Sequence, residues 1–310
     1  MSTLPEIPLS RSLGSPLLGD EAGLTISSIG WGMWRLVEAR ISAGEIDALV
    51  NGVLDAGITL FDTADIYGFN GAGGFGDAET LLGTALGANR ALRSRMVLAT
   101  KGGICPPLPY DQSASYIAQA IDASLKRLNT DRIDLWQVHR PDVLTHPQEL
   151  ARALDDAVAA GKIRTLGVSN FTVPQIDALQ HFLGQKLVST QPEISALRLD
   201  CFENGEMDHA MMRGLSVLAW SPLGGGRIAT PVSPREHAVA AALDACASEQ
   251  GISRTLAALS WLMAHPAGIV PIVGSQNPAR IAEAAGASAV RWTRAAWYAV
   301  YVASRGVPLP

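Results

Sequence analysis

Two acids and a phenol crowd the end of one apolar run. In GITLFDTADIYG, residues 57 to 68, Asp62 directly follows the apolar residues and Tyr67 stands five positions further on. Lys101 ends a second run, MVLATK, and His139 ends a third, IDLWQVH. A free phenol titrates near about 10, and a neighbouring ammonium favours its ionised form, so a tyrosine beside a lysine makes a proton donor usable near neutral pH. Asp62 would hold that lysine by a salt bridge, and His139 would hydrogen-bond a substrate oxygen. Such a set suits the polarisation and protonation of a carbonyl. Each residue also has a plainer reading: Asp62 as a strand-end cap, Tyr67 as a loop anchor, His139 as a core histidine, Lys101 as a Schiff-base lysine. A lysine left unpaired at the end of an apolar strand would be costly to desolvate, which favours a paired one.

For these side chains to meet, the runs that carry them must be neighbours pointing one way. Apolar or β-branched runs recur as TISSIG (25–30), ITLFDT (58–63), MVLATK (96–101), IDLWQVH (133–139), IRTLGVSN (163–170), LVSTQPEIS (187–195), LSVLAW (215–220) and IVPIVGS (269–275). Between them lie Ala- and Leu-rich stretches at 45–57, 77–87, 113–129 and 146–161. In the third, Ile117, Ile121, Leu125 and Leu128 form one apolar stripe at helical spacing. Gly57, Gly87 and Gly161 follow three of the stretches as helix ends, and His146-Pro147 reads as a helix start. Parallel strands need such crossover helices, because a tight hairpin cannot join them.

About eight strands suit a closed parallel (β/α)8 TIM barrel, and an open doubly wound sheet is the competitor. No GxGxxG follows the first run, and polar residues close many runs rather than two adjacent ones. The expected rim collects Asp62, Lys101, His139, Ser169, Asn170, Gln191, Trp220 and Ser221. Trp220 has its own plain reading as core. Long loops are expected at FNGAGGFG (69–76) and from Ser221 to Pro234, where such barrels build sites. No composition break divides the 310 residues, so a single domain over 1–310 is expected.

The rim excludes several chemistries. One histidine, one lysine and a few amides lack the carboxylate–histidine cluster of a catalytic zinc or iron, so no metal is expected. There is no GxSxG for a serine hydrolase. A net charge of -5 without any Lys/Arg run argues against nucleic acid or an anionic membrane as partner. Hydrophobic residues at 48% with charged residues at 17% point to an ordinary packed core. Three scattered cysteines, no signal-like apolar start and no spanning apolar stretch lead to the expectation of a cytoplasmic protein.

The motifs GITLFDTADIYG, ATKGG (99–103), IDLWQVHRPD (133–142), IRTLGVSNF (163–171), STQPEIS (189–195), AWSPLGGGR (219–227) and PIVGSQNPARI (271–281) strongly resemble those of the aldo-keto reductases, in the same order. The likeness runs from about residue 24 to about residue 290. It implies a barrel that binds NADPH across its C-terminal mouth and interconverts carbonyls with alcohols. The family's tetrad falls on Asp62, Tyr67, Lys101 and His139, with Tyr67 as the acid, Asp62 and Lys101 tuning it and His139 orienting the oxygen. Ser169, Asn170 and Gln191 match the nicotinamide carboxamide site and Trp220 the stacking aromatic. Gly32, Met33 and Trp34 match a segment touching cofactor or substrate, with Trp34, Tyr67 and His139 on the substrate side. Ser221, Leu223, Gly225 and Arg227 match the pyrophosphate loop, Ser275 and Arg280 the 2′-phosphate grip, and Glu283 the adenine edge.

Gly274 departs from the pattern, since many members carry a lysine there. Arg280 still offers a guanidinium for a phosphate, so NADPH is the expected cofactor, with NADH possible. The resemblance leaves two other readings: an NAD-preferring sugar or alcohol dehydrogenase on the same scaffold, and a cofactor-sensing regulatory binding protein with slow turnover.

Overall fold

A computed structural model describes residues 2–14 and 23–310 of the chain. Two short strands, β1 (Ser10–Ser12) and β2 (Thr25–Ser27), pair antiparallel and precede the barrel. The barrel strands are β3 (Gly30–Gly32), β4 (Leu60–Asp62), β5 (Val97–Gly102), β6 (Ile133–Val138), β7 (Ile163–Ser169), β8 (Leu187–Gln191), β9 (Ser216–Ala219) and β10 (Val270–Val273). Each pairs in parallel with the next, and β10 pairs with both β9 and β3, which closes the ring. The α-helices of the described residues are α1 (Ala43–Asp55), α2 (Asp77–Ala88), α3 (Ala114–Arg127), α4 (Pro147–Ala159), α5 (Val173–Phe182), α6 (Asp200–Glu203), α7 (Glu206–Arg213), α8 (Pro234–Gln250), α9 (Arg254–Met263), α10 (Pro278–Ala285) and α11 (Arg294–Arg305). None of these helices is long and apolar enough to cross a membrane.

Local chemistry sets several boundaries. Ser42 and Glu45 form a reciprocal capping box at the start of α1, and Ser233 and Glu236 do the same for α8. His146 caps α4, its Nδ1 accepting from the amide of Gln148 at 3.2 Å, with Pro147 in the first turn. Gly57 and Gly161 end their helices with φ of 81° and 73°. Gly87 differs from expectation: it lies within α2, where its missing Cβ makes room for the Asn129 amide.

The TISSIG run is also redistributed. Its first half is β2, and the barrel strand begins only at Gly30. Ser27 turns the chain between them: its hydroxyl donates to the Ile29 carbonyl at 2.6 Å and accepts from the Thr59 amide at 2.8 Å. Gly30 and Gly32 then press against β10, where a Cβ would come within 2.6 and 2.7 Å of Ile272. Glycine is what allows this first strand to close the ring.

The two-residue strand period sorts the interior into levels. Leu60, Val97, Ala99, Leu135, Val188, Leu218, Val270 and Ile272 form an apolar level that packs on Leu13, Leu24 and Ile26 of the N-terminal segment. One step further along the same strands come Asp62, Lys101 and Gln137. Residues of the opposite parity, including Phe61, Leu98, Trp136 and Val138, join the larger core beneath the helices.

Candidate active site

Lys101 is wholly buried and spends its three ammonium protons on three oxygens. Nζ donates to Asp62 Oδ2 at 2.6 Å, to the Thr63 carbonyl at 2.9 Å and to Tyr67 Oη at 3.2 Å. The other carboxylate oxygen of Asp62 accepts from Gln191 Nε2 at 2.9 Å and, more weakly, from Gln137 Nε2 at 3.5 Å. Strands β4, β5, β6 and β8 are therefore tied through one carboxylate. Tyr67 reaches back from the loop after β4, and its ring meets His139 edge-on with centroids 5.9 Å apart. Asp62, Tyr67, Lys101 and His139 thus converge on one mouth.

The charge states follow from burial and neighbours. Burial pulls the Lys101 ammonium down, but Asp62 and Tyr67 outweigh it and hold the group above its ordinary value. Burial also pushes the Tyr67 phenol up, and the opposing Lys101 charge does not cancel the effect. The expected lowering is thus corrected: without the phenol's partners the shift would be larger, but desolvation wins. His139 lies well below the usual histidine range because burial, Lys101 and Arg140 all disfavour a second proton. It is a neutral imidazole, and its Nδ1 has no partner among the described residues.

The residues expected around a cofactor occupy the same rim. Asn170 adopts a left-handed backbone, φ 60°, and binds three neighbours: its Nδ2 donates to the His139 carbonyl at 3.1 Å and to Ser169 Oγ at 2.8 Å, while its Oδ1 accepts from Trp220 Nε1 at 2.9 Å. Ser169 Oγ donates in turn to the Gln191 carbonyl at 2.8 Å. Trp220 is half-buried, not core. Ser221, at φ 53°, opens a loop through half-buried Leu223 and exposed Gly225, and a Cβ at Gly225, Gly226 or Gly274 would meet nothing within 4 Å.

Half-buried Ser275 and exposed Arg280 and Glu283 line the start of α10 and the approach to it. Open backbone, an unpaired buried imidazole nitrogen and an exposed guanidinium fit a phosphate-bearing dinucleotide. Arg227 fits less well, since its guanidinium donates to the Gly224 carbonyl at 2.9 Å and pairs with Glu236 at 3.4 Å. Met33 is also turned away: its side chain is buried in the outer core, while Gly32 remains at the rim and Trp34 is 55% exposed, edge-on to Tyr67 at 5.2 Å.

Three residues beyond those expected bear on the site. Gln137 supports Asp62 from β6, and the only sign of it in the sequence is a polar residue inside the apolar run IDLWQV. Arg140 leaves the rim beside His139, with its guanidinium carbon 5.9 Å from the Trp220 ring centre. Asp65, buried at 1% exposure, has no hydrogen-bond partner for either carboxylate oxygen among the described residues. Burial and the nearby Glu79 hold its carboxyl well above the usual range. Among the described residues no cluster of histidine, cysteine and carboxylate suits a metal ion.

The sequence matches the model of the Aldo/keto reductase family over residues 28–300. It is 64% identical to the 6-dehydroglucose reductase of Novosphingobium aromaticivorans over the full length of both chains. A second 6-dehydroglucose reductase, from Agrobacterium fabrum, is 39% identical over 91% of this chain and 96% of its own. Among solved structures, the thermostable aldo-keto reductase Tm1743, crystallised with the inhibitor epalrestat, superposes with a TM-score of 0.79 at 23% identity, covering 96% of this chain and all of that one. At that identity the likeness speaks for the fold.

Proposed function

The chain belongs to the aldo/keto reductase family and is an oxidoreductase, and from that premise we propose that it reduces sugar-derived aldehydes, 6-dehydroglucose in particular, using NADPH. The observation that carries the chemistry is the donor-only ammonium of Lys101 set 3.2 Å from Tyr67 Oη. An ammonium cannot accept, so the phenol oxygen must, and the phenolic proton is left to point into the mouth. The substrate rests on the 64% identity to a protein of that name across the whole chain.

A reduced nicotinamide, when bound, supplies hydride to the carbonyl carbon. Tyr67 gives its proton to the carbonyl oxygen as negative charge develops there. His139, neutral, donates a hydrogen bond to the same oxygen, and Lys101 with Asp62 holds the phenol and steadies the phenolate left behind. Ser169, Asn170 and Gln191 would hold the carboxamide, with the ring against Trp220 and Gly32 nearby. Ser221, Leu223 and Gly225 would lie beneath the pyrophosphate, Ser275 and Arg280 at the 2′-phosphate and Glu283 by the adenine. Arg227 closes its loop on Glu236 and would shape this site rather than bind phosphate. Gly274 favours the second reading, NADH, because it removes a cation from the phosphate grip.

Steady-state oxidation of NADPH and of NADH with 6-dehydroglucose, in wild type and Tyr67→Phe, tests this. Loss of the acid is expected to cost about 10²- to 10⁴-fold in turnover with NADPH affinity near wild type. A Tyr67→Phe enzyme that keeps most of its activity removes the assigned acid. Tight NADPH binding without turnover of 6-dehydroglucose or any broad aldehyde panel would instead support the regulatory binding protein.

A further inference from the structure

We propose that Arg140 makes this site selective for oxygen-rich carbonyl substrates, its guanidinium binding the hydroxyls of the substrate while the carbonyl lies against Tyr67 and His139. This deepens the sugar-aldehyde reading and rests on it. Arg140 directly follows His139 at the end of β6 and is half-buried, with its guanidinium over the Trp220 ring at 5.9 Å. Three other half-buried arginines have counter-ions: Arg93 pairs with Asp134 at 2.7 Å, Arg127 with Glu79 at 2.7 Å and Arg254 with Asp244 at 2.5 Å. Among the described residues, no carboxylate lies within ion-pair distance of Arg140.

The backbone that carries it is pinned. Gln112 Nε2 donates to the Arg140 carbonyl, and Asn170 Nδ2 to that of His139 at 3.1 Å. The guanidinium is thereby kept close enough to the reacting pair for its charge to disfavour protonation of His139 and to oppose the rise of Tyr67. A guanidinium brings five donors in a planar fork, is weakly hydrated and rests well on an aromatic face. Held there without an acceptor, it is an array of donors beside the carbonyl position. The exposed ring of Trp34, which like His139 meets Tyr67 edge-on, adds an apolar plate suited to the C–H face of a sugar. A plate, a donor fork and a carbonyl-binding pair on one mouth match a polyhydroxylated aldehyde better than an apolar one.

The test compares D-glyceraldehyde with propanal, equal in carbon count, and adds 6-dehydroglucose, in wild type, Arg140→Met and Arg140→Lys. Met keeps apolar length over Trp220, and Lys keeps the charge without the fork. Hydrogen bonds from a charged donor set the scale: the ratio of kcat/KM for glyceraldehyde over propanal is expected to fall on the order of 10- to 100-fold in Arg140→Met, through KM, and by less in Arg140→Lys. A structural or purely electrostatic role would move both aldehydes alike and shift both pH profiles together, and an unchanged ratio in both variants overturns the proposal. If the ratio falls but the wild type does not reduce 6-dehydroglucose, the subsite stands and the assigned substrate does not. Turnover of 6-dehydroglucose with an unchanged ratio leaves the substrate and removes the subsite.

Discussion

Replacing Lys101 by methionine separates what its ammonium does for folding from what it does for chemistry. Methionine keeps most of the apolar stem but removes the charge and its three donors, leaving Asp62 buried with amide donors at 2.9 and 3.5 Å in place of an ammonium at 2.6 Å. The pair is 0% and 3% exposed, so solvent does not screen the orphaned carboxylate. Breaking a buried pair in this way costs about 3–5 kcal/mol, a large fraction of the roughly 5–15 kcal/mol of a typical fold. Adding Asp62→Asn removes the leftover charge but keeps an acceptor for Gln191, so the double variant should return to within about 2 kcal/mol of wild type. Activity should not return, because nothing then fixes the Tyr67 oxygen as an acceptor, and turnover should stay down by about 10²-fold or more. Urea unfolding followed by circular dichroism gives the first quantity and cofactor absorbance the second. The single variant's deficit should also shrink in acid, as the stranded carboxyl takes up a proton. A loss under about 1 kcal/mol for Lys101→Met, or activity that recovers with stability in the double variant, would refute the reasoning.

Further outcomes are expected elsewhere in the chain. Arg280→Ala should weaken NADPH by about 10- to 100-fold and NADH far less in a fluorescence titration, whereas equal loss would count against a phosphate contact. Gly274→Lys has open space at its Cβ and should shift the cofactor ratio towards NADPH, read from the two Kd values. With His139 held low and Tyr67 held high, kcat/KM for reduction should be flat from about pH 6.5 to about pH 10, and a break near the ordinary histidine value would contradict the buried neutral imidazole. Asp65→Asn should raise the melting temperature at pH 8 more than at pH 4. A carboxyl whose folded value is raised contributes fully below its unfolded value and loses that contribution as pH rises, so a gain that does not grow with pH would be wrong in sign.

Much of the site could be read from the chain because it lies where period-two strands stop. Asp62, Lys101 and His139 each close an apolar run, and parallel strands deliver such ends to one rim. The misplaced strand shows the limit: β3 is Gly-Trp-Gly, poor in strand formers, and becomes a strand only because β10 needs a close neighbour without side chains. Gln137 and Arg140 escaped for a related reason. Their roles depend on partners 75 and 80 positions away, Asp62 and Trp220, and no local pattern encodes such pairings. The tyrosine's raised value was missed because a lysine neighbour is visible in sequence, while the degree to which the barrel strips water from the phenol is not.

The N-terminal segment has a kinetic consequence. Leu13, Leu24 and Ile26 pack into the apolar level under the polar one, and the Gly14 amide and the Ser27 hydroxyl tie this stopper to Ser216 and Thr59. The bore is therefore a blind well rather than a tunnel. Whatever reacts at Tyr67 therefore enters and leaves through the same doorway, and nothing can pass it by from the far end of the barrel.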